Sequence, residues 1–226
     1  MKNTPRWCCN PQPQANFRLD LGTVGAFHEH FASDRASWPA VYRMISGMSV
    51  YLPPEILLAS NGMAGPNQPD QITMLRCAYA VGNTPMIFNA MLPKSLEELK
   101  AADQKLFRRY SDLYRNFIRP IMGKTKVYHH APVNATGGVE SGDWFAMEYS
   151  LPDRTRGWAT IISLSKDRTS PYLLKPRGLD GLKRYKVTFD NTGETKLIDA
   201  ATLMREGLQI QPTEQVASEL VLFEAE

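Results

Sequence analysis

Asp34 is the carboxylate whose setting points most clearly to chemistry. It ends the short extended run EHFASD (29–34) and stands just before a predicted helix. In a parallel α/β sheet that position is the carboxyl edge of a strand, where active sites gather. The plainer alternative is an aspartate that opens a helix or turn.

His28, Glu29 and His30 invite a metal reading, because imidazole and carboxylate are good ligands and His28 and His30 would share one face of a strand. The chain offers no further ligand cluster, so ordinary histidines are the better reading and no metal is expected; His129 and His130 carry less weight still. Cys8 or Cys9 could be a nucleophile, yet spacing identifies no partner histidine with an orienting carboxylate. A half-buried thiol lining a pocket is the default. Lys105, Arg108, Arg109, Arg115 and Arg119 read as the solvated face of a helix, interleaved with Asp103 and Asp112. Trp144, Phe145, Tyr149 and Trp158 could stack on a sugar, but aromatic residues alternating in strands are more often core. Walker, glycine-rich dinucleotide, CxxC and HExxH signatures are lacking.

The elements that must position these residues change character along the chain. Residues 19–27 have helical spacing, weakened by Gly22 and Gly25. Ser37 can cap a helix with Pro39 in its first turn and Val41, Tyr42, Ile45 and Met48 on one face. The apolar run 49–60 is interrupted by Pro53 and Pro54. A helix is predicted over 72–82, ended by Gly82, and a buried strand over 84–92. Ser95 and Glu98 form a capping box for a helix with Leu96, Leu99, Leu106, Tyr110, Leu113 and Phe117 on one side, stopping at Pro120. This alternation of strand and helix implies a parallel sheet with crossover helices. After Gly123 the pattern becomes VYHHAPV, DWFAMEYSL, GWATIISL, RYKVTFDN, ETKLIDA and ELVLFEA, separated by turn signals such as Asp190-Asn191 and Thr192-Gly193. That describes an antiparallel all-β module, most simply a sandwich.

The charge distribution agrees with two joined units. Among 226 residues, 1–130 carry 15 Lys+Arg against 9 Asp+Glu, and 131–226 carry 11 against 14. The net charge of +3 is too small to imply nucleic acid or an anionic membrane as partner. Adjacent Cys8 and Cys9 with a lone Cys77 do not make a secreted disulfide framework. No run approaches the ~18 apolar residues of a membrane span, and no signal peptide opens the chain. A cytoplasmic protein is expected.

Taken in order, these pieces resemble the C-terminal part of the α-galactosidases of glycoside hydrolase family 36. The strongest part is the end, from Pro171 to Ala225, where the turn Gly178-Leu179-Asp180, the strand Tyr185-Lys186-Val187 and the late Ser218-Glu219-Leu220 are similar to the family's terminal β-sandwich. Upstream, Cys8/Cys9 followed by Arg18-Leu19-Asp20-Leu21-Gly22 resembles a cysteine-bearing strand end and the helix start after it. Phe31-Ala32-Ser33-Asp34 resembles the segment whose Asp is the general acid/base. Asn61-Gly62-Met63-Ala64 takes the place of the next glycine-bearing strand end. Arg76–Gly82 and the helix with Tyr110, Leu113 and Arg115 also fit.

The resemblance implies half of a (β/α)8 TIM barrel, strands five to eight, over residues 1–125, and a C-terminal antiparallel β-sandwich over 126–226. It implies retaining hydrolysis of terminal α-galactosides. Asp34 would be the acid/base, Cys8, Cys9 and Gly62 would lie beside the sugar, and no metal or organic cofactor would be needed. In such enzymes two carboxylates ~5–5.5 Å apart share the work. The family's nucleophilic Asp lies on strand four, before the point where this chain begins, and Glu29 would face away from Asp34. Half a barrel leaves open sheet edges, so the expectation is either association with another copy or a complementary half, or a chain that is a piece of a longer gene product. The alternative is a non-catalytic carbohydrate-binding or structural remnant.

Overall fold

The computed structural model describes residues 30–33, 42, 45–59, 70–81, 101–130, 144–164 and 171–226. His30–Ser33 forms strand β1 and Leu57–Ala59 forms β2, and the two pair in parallel with His30 opposite Leu57 and Ser33 opposite Ala59. Parallel neighbours need a crossover rather than a hairpin. Between these two the chain makes helical turns at Tyr42 and Ile45–Met48, and Tyr42 and Ile45 are fully buried, as their spacing predicts. Pro54, with its fixed φ, opens a 3-10 turn, Pro54–Ile56, that leads into β2.

Helix α1 spans Gln71–Tyr79 and starts at Asp70, whose carboxylate accepts from the Thr73 N–H at 2.8 Å. Helix α2 spans Ala101–Leu113 and continues as a π-helical turn over Tyr114–Ile118, shortly before Pro120. Its buried stripe is Phe107, Tyr110, Phe117 and Ile118, with Leu106 and Leu113 half-buried. The predicted capping box at Ser95 and Glu98, the predicted strand over 84–92 and the helical spacing over 19–27 lie outside the described residues.

Every strand run predicted after Gly123 is present: β3 (Lys126–His129), β4 (Trp144–Ser150), β5 (Arg156–Ser163), β7 (Arg184–Phe189), β8 (Thr195–Asp199) and β10 (Ser218–Ala225). They form one antiparallel sheet in the order β3-β4-β5-β10-β7-β8. Two three-residue strands that the pattern did not reveal, β6 (Tyr172–Leu174) and β9 (Leu208–Ile210), pair with each other. The short helix α3 (Ala200–Glu206) joins β8 to β9. Most of the described structure is thus antiparallel sheet with few helices. The β1–β2 pair is the parallel element among the described residues.

The centre of the large sheet, β4, β5 and β10, is buried on both faces. Ala146, Ala159, Ile161, Val187, Val221 and Phe223 pack with Leu174, Leu208 and Ile210 of the small sheet and Leu203 of α3, which makes the sandwich. The opposite face, built from Phe145, Met147, Tyr149, Trp158, Ile162 and Leu220, packs on Tyr42, Ile45, Leu57, Cys77, Phe117 and Ile118. Double burial explains why β4 and β5 read as nearly continuous apolar runs rather than as alternation.

Candidate functional site

The parallel pairing of β1 and β2 makes their carboxyl ends face one edge. Asp34 is the next residue after β1, and Gly62 follows the last residue of β2 by three. The strands leading to two of the candidate residues are therefore neighbours running in the same direction. Asp34, Gly62, Cys8 and Cys9 themselves lie outside the described residues, as do His28 and Glu29. Among the described residues no group of three or more His, Cys, Asp or Glu could hold a metal ion.

What the described side chains do build is a polar junction between the two helices and the sandwich. Asp70, after capping α1, also accepts from the Thr73 hydroxyl and from the Ala217 N–H, each at 2.8 Å. The Thr73 hydroxyl lies 2.7 Å from the Ser218 hydroxyl at the start of β10. One turn further along α1, the buried Arg76 donates to the Ser218 carbonyl at 2.6 Å, to Asp190 at 2.6 Å and to the Asn191 side chain at 2.7 Å. Asp190 also accepts from the Tyr110 hydroxyl of α2 at 2.7 Å and from the Arg109 guanidinium. Burying a charge is costly unless it is paired and hydrogen-bonded. Here both partners are saturated with polar contacts, and the nearby charges hold Arg76 protonated while burial works against them.

The carboxyl end of α1 is met in the same way. Its last carbonyls have no partner within the helix. Trp158 donates its indole N–H to the Ala80 carbonyl at 2.9 Å, Thr160 donates to the same oxygen, and Tyr149 donates to the Val81 carbonyl. Tyr149 and Trp158 face each other across β4 and β5 and stack with centroids 4.5 Å apart. The Arg156 guanidinium lies 4.4 Å above the Phe117 ring.

These contacts answer several sequence expectations. Phe145, Tyr149 and Trp158 are core, as read, and Trp144 is half-buried against Tyr172. Lys105, Arg108, Arg115 and Arg119 are exposed, but Arg109 is a correction: it bends onto Asp190 instead of lying wholly in solvent. Sequence reading missed the junction. In the sequence Asp190 reads only as a turn residue, and its partner gives one signal, an arginine inside the apolar run ITMLRCAYAV. Cys77 is a buried thiol, pushed up to about 12 mainly by desolvation. No helix among the described residues is long and apolar enough to cross a membrane.

Comparison with known families identifies the sheet. Residues 144–223 match the glycosyl hydrolase family 36 C-terminal domain. This match bears out the resemblance drawn from the terminal segment. The family 36 likeness extends further as fold: the α-galactosidase from Lactobacillus brevis aligns over 92% of this chain with a TM-score of 0.69 at 16% identity, covering 28% of that chain. A family 36 α-galactosidase from Geobacillus stearothermophilus aligns over 91% with a TM-score of 0.65 at 15% identity, covering 27%. The galactosidase domain of an alpha-galactosidase-sucrose kinase gives 92%, 0.64, 14% and 27%. The chain thus spans little more than a quarter of these relatives. No match is found among curated proteins.

Proposed function

We propose that this chain supplies the acid/base portion of a retaining glycoside hydrolase of α-galactosidase type, as half of a (β/α)8 barrel joined to a family 36 sandwich. The observation that carries the reading is the parallel β1–β2 pair, whose carboxyl edge leads directly to Asp34, in a chain with the family 36 fold over about nine-tenths of its length.

In this reading Asp34 protonates the glycosidic oxygen as the bond to the anomeric carbon breaks, then takes a proton from the water that releases the sugar. Cys8, Cys9 and Gly62 line the sugar. The nucleophilic carboxylate comes from a complementary barrel half, and the chemistry needs no metal. The substrate class is a terminal α-galactoside.

The alternative is a non-catalytic carbohydrate-binding or structural remnant. The burial of Phe145, Tyr149 and Trp158 under the helices speaks against the binding version, since the aromatic rings that would stack on a sugar are already covered. Hydrolysis of an aryl α-galactoside separates the readings. Turnover on mixing with a complementary barrel half, reduced ~100-fold or more in Asp34→Asn, is the expected result. Sugar binding without turnover in any mixture would establish the remnant instead.

A further inference from the structure

The β3 edge of the sheet ends in two adjacent histidines with different surroundings. His129 Nε2 lies 2.8 Å from the Ser49 hydroxyl, which also lies 3.1 Å from the Ser46 carbonyl and 3.8 Å from the Met147 sulfur. His130 Nε2 lies 2.6 Å from Glu148. That fully buried carboxylate also accepts the N–H groups of Arg177 at 2.8 Å and Gly178 at 2.7 Å. The Arg177 guanidinium lies over Tyr128 and donates to the His129 carbonyl at 3.3 Å.

We propose that His129 is an acid-sensitive joint between the segment around Ser49 and the β3 edge, closed while its imidazole is neutral and loosened when it gains a proton. A neutral ring can share one proton with Ser49 in either direction. An imidazolium in the same half-buried place must give up hydration and face like charges. Arg177 approaches it from the loop after β6, and His130 is the residue that follows β3. From β4, Glu148 is committed to His130 and the two backbone N–H groups, and Met147 is neutral. Among the described residues, Ser46, Gly47, Met48 and Ser49 bring no countercharge from the other side. Burial accordingly holds His129 below its ordinary value of 6.5; the Ser46 backbone contact opposes this, and Arg177 and His130 add to the lowering.

The direction of the pH dependence follows. With its folded value depressed, His129 binds fewer protons folded than unfolded, so its contribution to stability is complete above 6.5 and is lost as pH falls through the folded value. The inference does not depend on the proposed catalysis. It is tested by urea unfolding of the whole chain and of His129→Gln from about pH 7.5 to about pH 5, together with amide exchange and an NMR titration of the His129 ring. The expected results are a midpoint that falls in acid, a smaller fall in the variant, a ring that titrates below 6.5 and faster acid exchange at Ser49 than in β5. Should His129→Gln fail to fold, the ring titration and exchange in the unchanged chain decide. Equal pH dependence in the two proteins, or a ring titrating at or above 6.5, overturns the proposal.

Discussion

Two nitrogens of the Arg76 guanidinium reach one carboxylate oxygen of Asp190, at 2.6 and 3.2 Å, across 114 positions of sequence. The contact ties α1 to the β7–β8 turn. Because Tyr110 and Arg109 of α2 converge on the same carboxylate, one aspartate in the sandwich organises both helices. Arg76→Met leaves Asp190 with its α2 partners and the Ser218 carbonyl with the Asn191 amide, but removes half of the buried ion pair. Removing one partner of a buried pair costs about 3–5 kcal/mol. Urea unfolding should show a loss at the lower end of that range, and adding Asp190→Asn should cost less than the sum of the two single changes.

Two glycines are required by close packing. A Cβ at Gly157 would stand 2.4 Å from the Tyr149 carbonyl oxygen, and one at Gly178 would stand 2.5 Å from the Ser150 Cβ. Neither neighbour can move without displacing β4. At Gly181 a Cβ meets nothing within 4 Å. Thermal melts should show Gly157→Ala and Gly178→Ala each losing about 1–3 kcal/mol, with Gly181→Ala close to unchanged.

Cys77 should be chemically silent in the folded chain. The thiolate is the reactive form, and burial pushes this thiol up to about 12. Iodoacetamide at neutral pH should leave Cys77 unmodified by mass spectrometry in native protein and alkylate it in urea. Rapid native labelling would show that the packing between α1 and Tyr42 opens.

The strands of the sandwich were legible because turn chemistry separates them: Asp190 to Gly193 marks the β7–β8 hairpin, where Gly193 takes a φ of 71°. β6 and β9 were not, since three residues are too few to show a period. α1 and the core face of α2 followed from 3.6-residue spacing, yet nothing local marks Asp190 as the acceptor for Arg76. That pairing joins distant segments and exists only once the sheet is docked on the helices. Of the catalytic candidates, position after β1 is what sequence and structure share: Ser33 ends the strand and Asp34 follows it.

Asp34 as acid/base carries the account, and the leaving group is the most direct probe of it. The unchanged chain and Asp34→Asn, each assembled with a complementary barrel half, should be compared on two α-galactosides, one releasing an alkyl alcohol and one an activated phenol. An alcohol must be protonated as it departs and an activated phenol need not be. With Asp34 as the acid/base, Asp34→Asn should cost ~100-fold or more on the alkyl substrate and much less in the bond-breaking step on the phenol. An equal loss on both, or none on either, would contradict it.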